Sequence, residues 1–214
     1  MKQSAQRKPI GRTTKRTLDL LISAVLLAIA SPTLVAVWCL IRIFLGSPAI
    51  FRQDRNGLGG EVFTIFKFRT MTSERDAAGV LLPDEMRLMR LGRFLRKTSL
   101  DELPQLLNVL RGDMSLIGPR PLPISYMPFF NKEERRRFEV MPGITGLAQV
   151  NGRNFTPWAE RFQLDVWYVD HWTLWLDIRI LALTAVKSLT ADGVVANEQT
   201  VMPELFEERS HQLQ

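Results

Sequence analysis

Residues 18 to 45 carry 22 apolar side chains out of 28, with Asp19 and Arg42 as their only charges. As one helix rising ~1.5 Å per residue, such a stretch is about 42 Å long, more than the hydrocarbon core of a bilayer requires. It follows a basic arm, because Lys2, Arg7, Lys8, Arg12, Lys15 and Arg16 all precede the first acid, Asp19. The chain of 214 residues holds 28 basic and 22 acidic side chains, so these six account for its whole net charge of +6. The excess is a local arm beside an apolar segment rather than a basic domain, which argues against a nucleic-acid binder.

Three topologies compete for this segment. A secretory signal peptide would have the basic arm and the small-residue pattern Ala28-Ile29-Ala30, but the apolar run continues through Thr33 to Trp38, past that cleavage site. A plain spanning helix fits by length. The third is a re-entrant helix that enters the membrane, breaks at Ser31-Pro32 and leaves on the same side. Pro32 removes a backbone donor and crowds the preceding turn, and Ser31 can satisfy a freed backbone group. Basic residues flank both ends, the arm on one side and Arg42, Arg52, Arg55, Lys67 and Arg69 on the other. A spanning helix would place one of these flanks outside, contrary to the positive-inside tendency, so the charge pattern favours the hairpin.

Composition narrows the remainder. A mean hydropathy near zero excludes a multi-span carrier, and 23% charged residues among frequent Leu, Val and Ile exclude general disorder. A single cysteine, Cys39, excludes a disulfide framework and a multi-cysteine zinc site, and two histidines argue against a histidine metal site or a Ser-His-Asp triad. Residues 49 to 53 and 61 to 69 predict a β-hairpin around a turn-rich linker, with Lys67 and Arg69 on one face and Phe66 and Phe68 on the other. Helical spacing recurs at 86 to 95, 101 to 110, 123 to 139 and 157 to 190. The last stretch holds four of the five tryptophans, a density suited to a membrane interface. The expected fold is α+β and mostly helical. Its parts are a basic arm (1–16), a re-entrant membrane helix broken at Ser31-Pro32 (17–46), a small cytoplasmic catalytic domain with a short β-hairpin and amphipathic interface helices (47–190), and a polar C-terminal tail (191–214).

Two readings stand for the acids at 101 and 102. Ser99 and Glu102 match the capping box, which would leave Asp101 as an ordinary first-turn acid. A helix N-terminus also suits phosphate, and there Asp101 could act as a nucleophile while Glu102 helps bind a divalent cation. Lys67, Arg69, Arg93 and Arg96 read equally as solvated charges. Arg120 differs, because Pro119 and Pro121 restrict its backbone and its planar fork suits a phosphate. Pro142 to Gly146 reads as turn residues. The two functional classes are thus a phosphate-handling enzyme and a non-catalytic membrane-tethered binding or scaffold protein.

Four strings sharpen the choice: Lys67-Phe-Arg-Thr-Met71, Leu100-Asp-Glu-Leu-Pro-Gln105, Gly112-Asp-Met-Ser-Leu-Ile-Gly-Pro-Arg-Pro121 and Pro142-Gly-Ile-Thr-Gly146. In this order and spacing they resemble the bacterial sugar transferase family, in the form of the small monotopic phosphoglycosyl transferases, over about residues 13 to 190. The resemblance implies a re-entrant helix broken at a Ser-Pro pair, matched by Ser31 and Pro32. It implies transfer of a sugar 1-phosphate from a nucleoside diphosphate sugar to polyprenol (undecaprenyl) phosphate at the cytoplasmic face of the bacterial inner membrane, the first membrane step of glycan assembly. By the same resemblance Asp101 forms a phosphosugar–aspartyl intermediate, Glu102 binds Mg2+, and Lys67, Arg96 and Arg120 hold phosphate, with Arg69 beside Lys67 in the substrate-binding set. The small form points to a UDP-linked acetamido sugar with release of UMP. Membrane lipids are the remaining partner, nucleic acid is not one, and self-association into a homo-oligomer is left open.

Overall fold

The computed structural model describes residues 9–151, 156–190, 205 and 209. Its first element, α1 (Pro9–Phe44), is a single helix of 36 residues. The expected break does not interrupt its backbone. Pro32 has no N–H to offer the Ala28 carbonyl, and the Ser31 hydroxyl donates to that carbonyl instead, at 2.8 Å. Helix also covers Arg12, Lys15 and Arg16 of the basic arm. Lys2, Arg7 and Lys8 lie outside the described residues.

Both halves of α1 rest on the same domain. Near its start, Lys15 Nζ donates to Asp177 at 2.7 Å, and Arg16 donates to the carbonyls of Met114 and Leu110. Asp19 is buried, accepting from the Ser115 hydroxyl at 2.7 Å and the Leu116 amide at 3.3 Å. Near its end, Val37, Ile41 and Leu45 pack with Ala49, Phe68 and Leu95. Much of the remaining surface of α1 is apolar and bare: Ile43 is 73% exposed, with Leu21, Val25, Val35 and Phe44 also exposed.

The predicted hairpin is present. Strand β1 (Ile50–Asn56) pairs antiparallel with β2 (Val62–Phe68), with Phe51 opposite Lys67. Short helices α2 (Asp84–Arg87) and α3 (Arg90–Lys97) follow. The helix expected from residue 101 is divided into a 3-10 turn at Leu100–Glu102 and α4 (Gln105–Arg111). Pro104, which cannot donate a hydrogen bond, stands between them. Helix α4 stops at Gly112, in the left-handed region at φ 100°, where the amides of Gly112 and Asp113 both reach the Asn108 carbonyl.

Strand β3 (Ser115–Ile117) then runs parallel to β4 (Gly143–Thr145). The helix expected over 123 to 139 is instead two 3-10 segments, Ile124–Phe129 and Glu134–Glu139. Pro128 lies inside the first, and Phe130 is extended after it. A reciprocal pair of bonds between Asn131 and Glu134, each 2.9 Å, opens the second in the manner of a capping box. Helices α5 (Leu147–Asn151), α6 (Trp158–His171) and α7 (Leu174–Thr190) complete the domain. Trp158 is buried, whereas Trp167 and Trp175 are exposed. Within the expected tail, Leu205 is fully buried against Leu122, Phe130 and Phe162, and Arg209 pairs with Glu134; the rest of that tail lies outside the described residues.

The central cluster gathers Ile65 of β2, Leu106 and Val109 of α4, Leu116 and Ile117 of β3, Tyr168 of α6 and Ile180 of α7. Asn108, fully buried, stitches α4 to β2 through it. Its Nδ2 donates to the Thr64 carbonyl at 2.7 Å, and its Oδ1 accepts from the Phe66 amide at 3.1 Å. Asn108→Leu would leave both backbone groups unpaired and is expected to cost about 2–4 kcal/mol, read as a lower urea midpoint. A midpoint equal to that of the unaltered chain would show that the stitch carries no weight.

Candidate active site

The turn at Leu100–Glu102 does not form the capping box that its sequence allows. Ser99 lies at φ 55°, left-handed for a residue that is not glycine, and its side chain makes no cap bond. Glu102 is therefore free to turn toward cations from two other elements. Its Oε1 accepts from Lys67 Nζ on β2 and from Arg120 Nη2 on the loop after β3, each at 2.7 Å. Register places Lys67 here: with Phe68 buried behind the sheet, the neighbouring residue of the pleat must face the other way.

The loop carrying Arg120 is braced by the Pro142–Gly146 segment. The Gly118 amide donates to the Thr145 carbonyl at 2.9 Å, and the Gly143 amide to the Pro119 carbonyl at 3.0 Å. The two backbones approach so closely that a Cβ on Gly143 would stand 2.1 Å from the Gly118 nitrogen. These glycines therefore serve backbone-to-backbone packing, which presents Arg120. One further brace had no clear sequence signal. Arg137, the last of three consecutive arginines, is buried rather than solvated. Its Nη2 donates to the Arg120 carbonyl at 2.7 Å and to Asp165 at 2.8 Å, and its guanidinium lies over the rings of Phe130, Phe138 and Phe162.

Asp101 sits beside this cluster, 9% exposed and with no ion-pair partner among the described residues. Burial and the adjacent Glu102 carboxylate push its carboxyl up to about 6, against the opposing pull of Lys67, Arg120 and Arg96. Burial alone would raise Glu102 too, but the charges of Arg120 and Lys67 and the hydrogen bonds both donate outweigh it and hold Glu102 at about 2. Burial and the nearby Arg120 pull the Lys67 ammonium below its ordinary range. Two neighbouring carboxyls are thus driven apart, a common preparation for divided chemical roles.

Arg96 Nε donates to the Thr70 hydroxyl at 3.1 Å, and Arg96 lines the same cavity of about 1260 Å³ as Asp101 and Glu102. Arg69 lines it as well but is not drawn into the Glu102 cluster. Its guanidinium donates to the carbonyls of Met71 and Ser47 and to the Ser73 hydroxyl, which fixes the loop after β2. Ser31 and Pro32 lie away from the ion pairs, in the middle of α1, but the neighbouring Leu26, Ile29 and Ala30 reach the cavity wall. Glu102 Oε2 carries no ion pair among the described residues, because both cations fall on Oε1. Among the described residues no three Asp, Glu, His or Cys side chains cluster for a metal. One or two carboxylates are what a magnesium ion ordinarily takes from a protein when substrate phosphates and water complete its octahedron, so Glu102 Oε2 and Asp101 fit that ion.

The unequal carboxyls make opposite stability predictions for the metal-free protein. A carboxyl raised from 3.8 to about 6 weakens the fold at neutral pH, and this cost fades as pH falls through 6 toward 4. Asp101→Asn is therefore expected to raise the thermal midpoint at pH 7 by a few degrees and to have little effect at pH 4. Glu102→Gln leaves the part-buried Lys67 and the solvent-facing Arg120 without their shared partner and is expected to lower stability at pH 7 by about 1 kcal/mol. Thermal unfolding in chelator at the two pH values checks both signs; shifts in the same direction would contradict the division between the carboxyls.

The bacterial sugar transferase family matches residues 10–191 of this chain. The chain is 53% identical over 180 residues to the "Uncharacterized sugar transferase EpsL" of Bacillus subtilis strain 168, covering 84% of this chain and 89% of the relative. It is 43% identical over 189 residues to a UDP-glucose:undecaprenyl-phosphate glucose-1-phosphate transferase of Caulobacter vibrioides, covering 84% and 71%. It is 40% identical over 208 residues to the undecaprenyl-phosphate galactose phosphotransferase of Salmonella typhimurium, covering 89% of this chain and 44% of that longer protein. The segments that build the Glu102 cluster and its braces all fall inside the matched range, and the chain belongs to the bacterial sugar transferase family.

Proposed function

We propose that this chain transfers a sugar 1-phosphate from a nucleoside diphosphate sugar to a polyprenol phosphate, through a covalent phosphosugar–aspartyl intermediate on Asp101. The observation that carries this reading is the pair of unequal carboxyls in a cation-lined cavity. Asp101, at about 6, is ionised at neutral pH, more basic than an ordinary aspartate and without an ion pair among the described residues. These are the properties a carboxylate nucleophile needs. Its oxygen attacks the phosphorus that bears the sugar, and the bond to the nucleoside monophosphate breaks with the electron pair leaving on that group. An oxygen of the polyprenol phosphate then attacks the same phosphorus and returns Asp101 as a carboxylate. Lys67, Arg96 and Arg120 neutralise the phosphate oxygens through both steps, which are governed chiefly by position and charge. A magnesium ion on Glu102 Oε2 and Asp101 would add a further positive charge against those oxygens.

The relatives named for UDP-glucose and for undecaprenyl phosphate support a uridine nucleotide and a C55-type acceptor here. Their hexose donors stand beside the acetamido sugar that the small form of the family suggests, and a panel decides between them. Purified protein is incubated with magnesium, polyprenol phosphate and UDP-glucose, UDP-galactose or UDP-N-acetylhexosamines, and nucleoside monophosphate is measured. Asp101→Ala is expected to reduce its release at least 10³-fold, about 4 kcal/mol of barrier. Without acceptor, the unaltered chain is expected to release a single equivalent and gain the mass of one phosphosugar. Release that persists in Asp101→Ala rules out the nucleophile.

The reading places the protein on the cytoplasmic face of the inner membrane, with α1 entering and leaving on one side. Support comes from the two halves of α1, which both pack on one domain while Val35 and Ile43 are exposed. A helix crossing the bilayer would separate its ends by about 30 Å of hydrocarbon. In a Cys39→Ser background, Ala5→Cys and Leu58→Cys are both expected to resist an impermeant thiol label in intact cells and to react after lysis. Labelling of only one of them in intact cells would refute the hairpin.

A further inference from the structure

Among the described residues, side chains that line the active-site cavity carry buried polar atoms without a hydrogen-bond partner. They include Arg137 Nη1 and both ends of the Gln149 side-chain amide, Oε1 and Nε2. A buried amide group without a partner costs about 1–3 kcal/mol for each polar atom, so native folds seldom keep one unless something else completes it. Gln149 keeps two. It stands on α5, directly after the Pro142–Gly146 segment whose backbone is locked to Gly118 and Pro119. Its Oε1 lies so close over Gly146 that a Cβ there would stand 2.8 Å away. The amide is thus held on the scaffold that also presents Arg120, with Ala148 and Val150 buried on either side.

The chemistry of the missing partner follows from the two atoms. Oε1 needs a donor and Nε2 needs an acceptor, side by side. A phosphate offers acceptors alone, and it already has Lys67, Arg96 and Arg120. The edge of a nucleobase presents an N–H beside a carbonyl or ring nitrogen, and a side-chain amide pairs with that edge through two parallel hydrogen bonds. We propose that Gln149 reads the nucleobase of the donor, a role that rests on the nucleoside diphosphate sugar reading above. Gln149 thereby separates a nucleotide donor from a sugar phosphate lacking a base, since a site with unpaired polar groups rejects a ligand that leaves them unpaired.

Competitive inhibition by UMP and by ribose 5-phosphate isolates the base contact, because the two probes share ribose and phosphate. Gln149→Met, of similar size and without the amide, is expected to raise the UMP inhibition constant about tenfold and to leave that of ribose 5-phosphate unchanged. Gln149→Glu, which keeps the acceptor and loses the donor, is expected to shift the UMP constant in the same direction. Both variants are expected to fold, because a group whose partner is a ligand is dispensable to the ligand-free chain. The proposal is overturned if UMP inhibits both variants as it does the unaltered protein, if the two probes weaken in parallel, or if both variants fail to fold. A shift in donor KM without a shift for UMP would assign Gln149 to the transferred sugar and overturn the base contact. A different result, an unaltered chain that releases no nucleoside monophosphate from any nucleotide sugar, would remove the donor reading itself.

Discussion

One carboxylate oxygen, Glu102 Oε1, holds together three parts of the chain that are distant in sequence. Lys67 arrives from β2, Arg120 from the loop after β3, and Glu102 from the turn before α4. Ion pairs only partly withdrawn from solvent contribute little net stability. Their value is geometric: each group fixes where the other two stand. Asp101, one residue away, inherits its condition from the cluster. It lies close enough for Glu102 to push its carboxyl up and for three cations to keep that rise limited.

The cluster in turn depends on the membrane helix through a continuous path of polar contacts. Lys15 of α1 bonds Asp177 of α7, and Asp177 accepts from the Tyr168 hydroxyl at 2.7 Å and from the Trp172 indole at 3.0 Å. Tyr168 also lies 3.2 Å from the Ile117 carbonyl, immediately before the Gly118-Pro119-Arg120 turn. Asp19 holds the same strand through Ser115 and Leu116. Two of the six arm cations, Lys15 and Arg16, are therefore committed to the protein itself. The concentration of positive charge at the N-terminus is partly an anchoring device that ties α1 to the domain.

Much of this was legible in the residues. The hairpin and the facing of Lys67 followed from alternation, and the apolar length of α1 from simple counting. Arg120 between two prolines announced a presented guanidinium. Other features were hidden for identifiable reasons. The capping box at Ser99 is satisfied on paper, but a left-handed Ser99 releases Glu102 to cations 18 and 35 positions away, which no local pattern encodes. A capping box forms instead at Asn131 and Glu134, inside a stretch whose helical spacing concealed Pro128 as a divider. Arg137 looked like one more wet arginine, and only the aromatic surroundings supplied by 130, 138 and 162 make it an interior residue. Pro32 removes a donor from α1, and the serine before it supplies a hydroxyl to the Ala28 carbonyl.

The charge of the cavity also explains why one carboxyl is locked and the other is not. Lys67, Arg96 and Arg120 act on Glu102 and Asp101, and the cavity lining as a whole carries eleven basic side chains against four acidic ones. If Asp101 were paired as well, it would lose basicity to its partner. Concentrating both short ion pairs on Glu102 avoids that outcome. The cations remain ordered before a ligand arrives, which lowers the entropy lost on binding phosphate, while Asp101 keeps a lone pair that no cation holds. A fold that spends its buried charge on positioning must find its stability elsewhere, and here that support lies in the apolar cluster of Ile65, Leu106, Val109 and Ile117 beneath the site.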